Sequence, residues 1–289
     1  MPASNPAVVS VLGRDQKGVV ARICTYLAQH SVNIEKIDQN VMEGLFIMSM
    51  LVDLADLDIN LDTLILDLKG IGSEMSMDVT VRLHGERMRK RVAILVSREP
   101  HCLEALLAAR RSGDLDADFP VVLSNHPDLE PLAVAEGIPF RWMPSTDKAA
   151  HMQFLAAELA KAGPDLVVLA RYMQVLAPEL TRGWANRVLN IHPSLLPYYP
   201  GANAYKQAYE AGIRVCGCTA HIVTEELDKG PIVLQDVFHI RVGEDSLETV
   251  KANGRALEAK VLTKAVQLCV RDELVVLDGK VLFRPGRMA

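Results

Sequence analysis

The sequence has no apolar run that approaches the roughly 20 residues needed to cross a bilayer, because charged residues interrupt every candidate. Its opening stretch, MPASNPAVVSVLGRD, has neither a basic segment nor a long apolar one, so we expect no secretory leader. The five cysteines, at positions 24, 102, 216, 218 and 269, are an odd and scattered set. This argues against a disulfide framework and favours a reducing compartment, so we predict a cytoplasmic protein with no membrane partner.

A dense basic surface is also missing. Residues 1–84 carry 6 Lys or Arg against 11 Asp or Glu, and the remainder is electrically balanced. One basic cluster, which runs from Arg87 to Arg91, is more typical of a solvated linker than of a surface that binds a phosphate backbone. We therefore predict no nucleic-acid partner.

Familiar cofactor motifs are absent as well. The sequence contains no G-x-G-x-x-G, and although Gly13 and Gly18 have the spacing of a phosphate loop, Val19 stands where lysine is required. Cys216 and Cys218 have no second Cys or His pair at zinc spacing, so we interpret them as small buried residues. We predict neither a metal ion nor a bound cofactor.

The first 84 residues predict a β-α-β-β-α-β order. Apolar positions recur at helical spacing in two segments, and the other four segments alternate as strands do. Two of those strands meet at Glu43–Gly44, as in a hairpin. The six segments are 7–13, 18–31, 32–42, 44–54, 61–72 and 75–83. This is the ferredoxin-like arrangement, in which two helices pack on one face of a four-stranded sheet.

This order, the GRDQKG turn before the first helix and the HSVNI segment that opens the second strand resemble the ACT family of amino-acid-sensing domains. The resemblance implies a regulatory domain over 1–84 and a closed, even-numbered homo-oligomer. It also implies an amino-acid effector at Asp15, Gly18, Asn33 and Ile34. A plainer interpretation is that Gly18 and Asn33 merely serve the turns in which they lie.

A different pattern follows a predicted linker at 85–91. Short apolar runs at 92–97, 120–125, 165–170 and 187–192 are separated by helical stretches. Continuous apolar strands that alternate with helices predict a mostly parallel, Rossmann-like sheet covered on both faces, so we place a second domain at 92–289. Within it, 218–238 predicts two strands about a polar, acidic loop, and 247–273 predicts a long helix.

Two polar residues end the last of these apolar strands. Residues two apart share one face of a strand, so Asn190 and His192 project together at its carboxyl end, where open α/β sheets bind ligands. Asp228 lies later, in the acidic segment VTEELDKGP. From these residues alone, a functional site and a buried structural histidine are equally open interpretations of the Asn–His pair, whereas a solvated loop is the usual interpretation of such an acidic segment.

The two motifs together are more specific. N-x-H-P-S-L-L-P, followed about thirty residues later by H-x-V-T-x-E-L-D-x-G-P, resembles the folate-dependent formyltransferase family from about residue 90 to 285. The resemblance implies that Asn190, His192 and Asp228 are catalytic. Their chemistry fits, since an amide N–H and an imidazole can stabilise the oxyanion formed on a formyl group, and a carboxylate can accept a proton.

The same resemblance implies where folate binds. A loop after one strand, ARYMQVLAP, and the segment before the aspartate, IVTEELD, would enclose the pterin. For each apolar residue taken singly, plain core packing is the alternative. The implied folate-binding residues are Met173, Val175, Leu176, Ile222, Thr224, Glu225 and Glu226.

The acceptor of the formyl group is predicted by elimination. A phosphorylated acceptor would need a glycine-rich phosphate cradle at the first strand–helix turn, but VSREPHCLEAL has no glycine and places Glu99 there. Deformylases, in which water is the acceptor, also carry an ACT domain. The resemblance therefore implies hydrolysis of 10-formyltetrahydrofolate to formate and tetrahydrofolate, in the supply of formate for purine synthesis.

One departure bears on this choice, because deformylases often have His and Phe where this chain has Pro193 and Leu195. Two alternatives stay open at this point. One is formyl transfer to an unphosphorylated amine, and the other is a non-catalytic folate or amino-acid sensor.

Overall fold

A computed structural model of the protein describes residues 5–83, 89–198 and 203–283. The chain forms two compact units that divide between Met88 and Arg89. This division falls inside the predicted linker, of which residues 85–88 lie outside the described part of the chain. Lys90 and Arg91, which were assigned to the linker, begin the first strand of the second unit.

The first unit is a four-stranded antiparallel sheet with two helices, which confirms the ferredoxin-like prediction. Its elements are β1 Pro6–Arg14, α1 Val19–Gln29, β2 Asn33–Met42, β3 Leu45–Asp53, α2 Leu61–Glu74 and β4 Met77–Leu83. The strand order is β2-β3-β1-β4. Glu43 and Gly44 join β2 to β3 with φ of 50° and 76°, as the primed two-residue turns of hairpins require.

A single apolar core holds this unit together. The helices contribute Ile23, Leu27, Leu64 and Leu68, and all four side chains are buried against alternate residues of the sheet. Because α1 buries Val19, Ile23 and Leu27, its apolar stripe has the spacing expected of a helix that covers a sheet.

The second unit is built on a larger sheet. Its elements are β5 Lys90–Val96, α3 His101–Ser112, β6 Ala117–Asp118, β7 Val122–Ser124, α4 Glu130–Ala135, β8 Phe140–Trp142, α5 Lys148–Ala162, β9 Leu166–Ala170, α6 Pro178–Gly183, β10 Val188–His192, α7 Ala204–Glu210, β11 Val215–Ile222, β12 Ile232–His239, α8 Leu247–Val270, β13 Leu274–Leu277 and β14 Lys280–Phe283. The main strand order is β12-β11-β10-β9-β5-β7-β8, with β6 beside β5.

This sheet is parallel from β8 to β10 and antiparallel at β11 and β12, so the prediction of a mostly parallel sheet is confirmed. Helices α3 and α8 share one core with one of its faces, and α5 packs on the other. The chain order reverses at β5, which lies between β9 and β7. The carboxyl ends of β9 and β10 are therefore where this architecture binds ligands.

Two details differ from the sequence-based expectation. Helix α8 ends at Val270 rather than at residue 273, and a hairpin of β13 and β14 follows it. Among the described residues, no helix has the length and apolar character that a bilayer span requires.

Candidate active site

A cleft of about 560 Å³ opens at the carboxyl ends of β9 and β10. Asn190, His192 and Asp228 all line it, so the structure brings the three predicted catalytic residues together. The loop after β9 and the loop between β11 and β12 form two of its walls. Asn190 and His192 stand two residues apart on β10, as strand alternation predicts.

Asn190 is held by a residue that the sequence interpretation did not assign. His221 lies directly opposite Asn190 in the antiparallel pairing of β10 and β11, and the Asn190 Nδ2 atom is 3.1 Å from His221 Nε2. The Nδ1 atom of His221 is 3.0 Å from the carbonyl oxygen of Ile222, which can only accept, so Nδ1 carries the hydrogen. His221 Nε2 is therefore an acceptor, and the amide of Asn190 donates to it.

Burial favours the neutral form of His221. Its side chain is 3 % exposed, and desolvation lowers the pKa of His221 below its usual value. The hydrogen bond to the Ile222 carbonyl and the charge of Asp228 act in the opposite direction but are smaller causes. A neutral ring keeps Nε2 as an acceptor, so one N–H of Asn190 is fixed and the amide plane is oriented. The second N–H of that amide can then point to a ligand.

His192 and Asp228 form a buried pair beside this amide. The Nδ1 atom of His192 is 3.3 Å from Asp228 Oδ2, and the two side chains are 6 % and 7 % exposed. The other oxygen of Asp228, Oδ1, is 3.7 Å from His221 Nε2. One carboxylate thus lies between two imidazoles, and it can orient the His192 ring by accepting from Nδ1–H. That tautomer makes Nε2 of His192 a proton acceptor.

The loop that carries Asp228 is anchored at both ends. The Val223 N–H donates to the Val188 carbonyl at 2.8 Å, and the Ile222 N–H donates to the Pro231 carbonyl at 2.8 Å. Gly230 packs so closely that a Cβ atom there would be 1.7 Å from the Ile222 carbonyl oxygen. Asp228 has a φ of 55°, a conformation that aspartate tolerates better than most residues. The backbone therefore specifies where this carboxylate lies.

The turn after His192 is tied to the neighbouring strand by Thr219. The Thr219 hydroxyl donates to the Ser194 carbonyl at 2.7 Å and accepts from the Leu196 N–H at 3.0 Å. Gln235 donates to the same hydroxyl at 2.8 Å. Of the two positions that depart from the usual deformylase pattern, Pro193 lines the cleft and Leu195 packs against Gly217.

Six of the seven residues predicted to bind folate line the cleft. Leu176 is buried in its wall, whereas Met173 and Val175 are 56 % and 69 % exposed. Ile222 is different, because its side chain is buried in the core of the sheet and does not face the cleft. The three remaining residues are Thr224, Glu225 and Glu226. Their contacts with folate stay predictions.

The predicted effector residues do not form one site within a chain. Asn33 pairs with Asp53, which pairs in turn with Pro6, so Asn33 and Ile34 lie at the start of β1. Asp15 follows the other end of β1 and donates its N–H to the Gly44 carbonyl. A nine-residue strand separates the two ends by roughly 30 Å. Gly18, with a φ of 90°, precedes α1 at the Asp15 end.

A second polar cluster lines the cleft on the α8 side and was not predicted. Glu258 is 1 % exposed and lies 3.1 Å from His101 Nε2 and 3.3 Å from Arg171 Nε. With Cys102, His101 and Glu258 have the spacing of a metal site. The Arg171 cation beside Glu258 opposes a metal ion, however, and burial raises the pKa of Cys102 well above its usual value, which keeps the thiol protonated.

A parallel sheet with this cleft, the Asn–His–Asp cluster and the preceding ferredoxin-like unit define a formyl-group enzyme linked to an ACT domain. Comparison with known proteins agrees. Residues 90–266 match the Formyl transferase family, and residues 5–82 match the ACT domain family. The formyltetrahydrofolate deformylase of Bacillus subtilis (strain 168) is 36% identical over 273 residues, which are 93% of this chain and 90% of that protein.

Solved structures give the same result. A crystal structure of a formyltetrahydrofolate deformylase from Pseudomonas syringae pv. tomato has a TM-score of 0.85 and 35% identity, and the match covers 96% of this chain and 94% of that one. The glycinamide ribonucleotide transformylase 1 of Symbiobacterium toebii has a TM-score of 0.65 and 34% identity, over 70% of this chain and 96% of its own. This chain belongs to the formyltetrahydrofolate deformylase family.

Proposed function

We propose that the protein hydrolyses 10-formyltetrahydrofolate to formate and tetrahydrofolate, with Asn190, His192 and Asp228 as the catalytic residues. The observation that carries the proposal is the buried cluster in which one carboxylate lies beside two imidazoles and an oriented amide. Deformylase relatives that match over more than nine-tenths of the chain support the same reaction.

The cluster supplies a group for each step of the hydrolysis. Water attacks the formyl carbon as the His192–Asp228 pair accepts its proton. The carbonyl oxygen becomes an oxyanion, which the second N–H of Asn190 and the protonated His192 stabilise. The C–N10 bond then breaks, N10 takes a proton, and formate and tetrahydrofolate are released. No atom beyond those of water and the substrate is needed.

The turn after β5 favours water over a phosphorylated acceptor. A phosphate cradle at this turn would need N–H donors and positive charge, but Glu99 stands there and lines the cleft. A carboxylate at that position repels a dianion.

Formate release without an added amine tests this function. We expect formate and tetrahydrofolate in equal amounts from 10-formyltetrahydrofolate alone. His192→Ala should abolish turnover while circular dichroism still shows a cooperatively folded chain. An N-formyl amine and tetrahydrofolate that form only after an amine is added, without formate, would instead establish a transferase, and full activity in His192→Ala would exclude the proposed site.

We also propose an amino-acid effector for the ACT domain, an even-numbered homo-oligomer and a cytoplasmic location. The match of residues 5–82 to the ACT family supports the first two, and five free thiols are consistent with a reducing compartment. Titration of glycine and methionine against activity tests regulation, with Asp15→Ala as the variant that should lose it. Sedimentation equilibrium tests the subunit number, and a monomer or trimer would refute the proposed assembly.

A further inference from the structure

Arg171 is a cleft residue to which the proposed reaction gives no role. It follows β9 directly, and the parallel pairing of Leu169 with Asn190 places it level with His192 on the neighbouring strand. Its φ is 61°, so the chain turns at this residue. The Arg171 side chain lines the cleft and is 19 % exposed. A guanidinium group thus lies at the same sheet edge as the proposed catalytic residues.

The chain gives this guanidinium few partners. A guanidinium has five N–H donors, and of these the Nε donor of Arg171 is buried without a hydrogen-bond partner. In the part of the chain that the structure describes, Arg171 makes one ion pair, from Nε to Glu258 at 3.3 Å, and that contact lacks hydrogen-bond geometry. The two terminal nitrogens of Arg171 have no protein acceptor there. They form the edge that matches a carboxylate in bidentate geometry.

Glu258 sets the orientation of this group. It is almost fully buried on α8 and also contacts His101 Nε2, so it is fixed between α3 and the loop after β9. The ring of Tyr205 packs against Gly254 one turn earlier on α8, and burial together with the charge of Glu258 raises the pKa of Tyr205. Glu258 therefore holds the Nε side of Arg171. The negative charge of Glu258 also offsets part of the positive charge of Arg171, which weakens anion binding and so favours release of a bound product.

A second guanidinium lies on the same face of α8. Arg255 precedes Glu258 by three residues, a spacing that places both on one side of a helix, and it lines the same cleft. Across the described ranges, no ion pair or hydrogen bond holds Arg255, although its charge is the smallest of the causes that lower the pKa of Glu248. The neighbouring lysines differ, because Lys251 pairs with Glu248 at 2.8 Å and Lys206 pairs with Glu210 at 3.7 Å. Two arginines thus line the cleft, and within the described part of the chain their terminal nitrogens have no protein acceptor.

We propose that Arg171, oriented by Glu258, and Arg255 form a subsite for a carboxylate on the α8 side of the cleft. This inference rests on the proposed hydrolysis, which places two carboxylate sources in the cleft. One source is the formate product, formed beside His192, and the other is the glutamate moiety of the folate substrate. Both present the planar anion that a guanidinium recognises.

Equilibrium binding of ¹³C-formate to the full-length enzyme, followed by NMR without folate, tests the subsite. Arg171→Gln should raise the dissociation constant at least tenfold, Arg171→Lys should raise it less, and Arg255→Gln should raise it about threefold. Arg187→Gln is the matched control, because that arginine stacks on Trp184 outside the cleft, and it should leave the value unchanged. If Arg171→Gln does not fold, the Lys and Arg255 variants decide the result.

The second arm compares 10-formyltetrahydrofolate with 10-formyltetrahydropteroate, which lacks the glutamate. A rise in KM in Arg171→Gln for the glutamylated substrate alone would identify the glutamate as the ligand. A change in formate binding with no such rise would identify the product. If neither quantity changes by more than twofold, the subsite is refuted. Formate binding through Arg171 in an enzyme that releases no formate would refute the hydrolysis and retain the subsite.

Discussion

Replacing Asn190 with alanine separates the catalytic from the structural contribution of one side chain. Its amide donates one N–H to His221 Nε2 at 3.1 Å and, in the proposed reaction, the other to the oxyanion. Loss of one oxyanion donor costs about 2.7–4 kcal/mol, so kcat should fall by about 10²–10³-fold. Loss of the partner of a buried imidazole should lower the free energy of unfolding by about 1–3 kcal/mol.

The two effects are measured independently. Steady-state formate release gives kcat, and urea denaturation gives the free energy of unfolding. Ser194→Ala is the matched control. It removes a hydrogen bond of 2.6 Å to the Tyr198 carbonyl in the turn after β10, and that side chain does not line the cleft. We expect a stability loss of about 1 kcal/mol and a kcat within about twofold of the wild type. A kcat loss below tenfold in Asn190→Ala would refute the oxyanion role.

Three other predictions follow from the site. Asp228→Asn keeps the shape of the side chain but cannot accept a proton, so kcat measured by formate release should fall by about 10²–10⁴-fold, and a smaller loss would exclude a base at this position. Gly230→Ala places a methyl group against the Ile222 carbonyl and should lower both the free energy of unfolding, by about 1–3 kcal/mol, and kcat/KM. Gly183→Ala is its control, because the space around Gly183 is open and its φ is not positive, and it should spare both quantities; equal effects of the two substitutions would show that the loop tolerates the shift. In the folded state the pKa of His221 lies below its usual 6.5, so below about pH 6.5 the unfolded chain binds one more proton than the folded chain. The free energy of unfolding, measured by urea denaturation, should therefore decline as the pH falls below about 6.5, and His221→Gln should reduce the slope of this decline by at most about 1.4 kcal/mol per pH unit. An unchanged slope would contradict a neutral buried ring.

Strand alternation alone was enough to predict that Asn190 and His192 share a face. Asp228 was different, because no local pattern relates it to His192, 36 positions earlier in the numbering. It reaches the site since β11 pairs antiparallel with β10 and returns the following loop to the same sheet edge. Asp228 was predicted instead from the resemblance of the two motifs to the formyltransferase family, and its distance of 3.3 Å from His192 agrees with that prediction.

The register between β10 and β11 explains why His221 was not predicted from the sequence. The pairing of Asn190 with His221 fixes the parity of β11, so His221 and Val223 face the cleft while the intervening Ile222 enters the core. Sequence alone does not give the register of two distant strands, and His221 was therefore missed although it stands within the second motif. The positions of Asp15 and Asn33 differ in this respect. Because β1 and β2 run in the same direction and are joined by α1, the predicted order itself implies that the end of β1 and the start of β2 lie at opposite ends of the sheet.

A local sequence pattern indicates the carboxyl-terminal hairpin, although this hairpin was not predicted. Asp278 and Gly279 separate two apolar runs in LVVLDGKVLF, and both residues have positive φ, of 48° and 73°. An Asp-Gly pair between such runs is the strongest short-range indication of a hairpin. By contrast, the Glu258 cluster had no such signal, since it joins side chains from α3, α8 and the loop after β9.

Whether water is the formyl acceptor is tested most directly by hydrolysis in H₂¹⁸O. Attack by water at the formyl carbon transfers one solvent oxygen to the product. We predict singly labelled formate in amounts equal to tetrahydrofolate, with no amine present and with neither product in His192→Ala. Tetrahydrofolate without labelled formate, or an N-formyl amine as the product when an amine is added, would contradict the assignment of this cleft to a hydrolase.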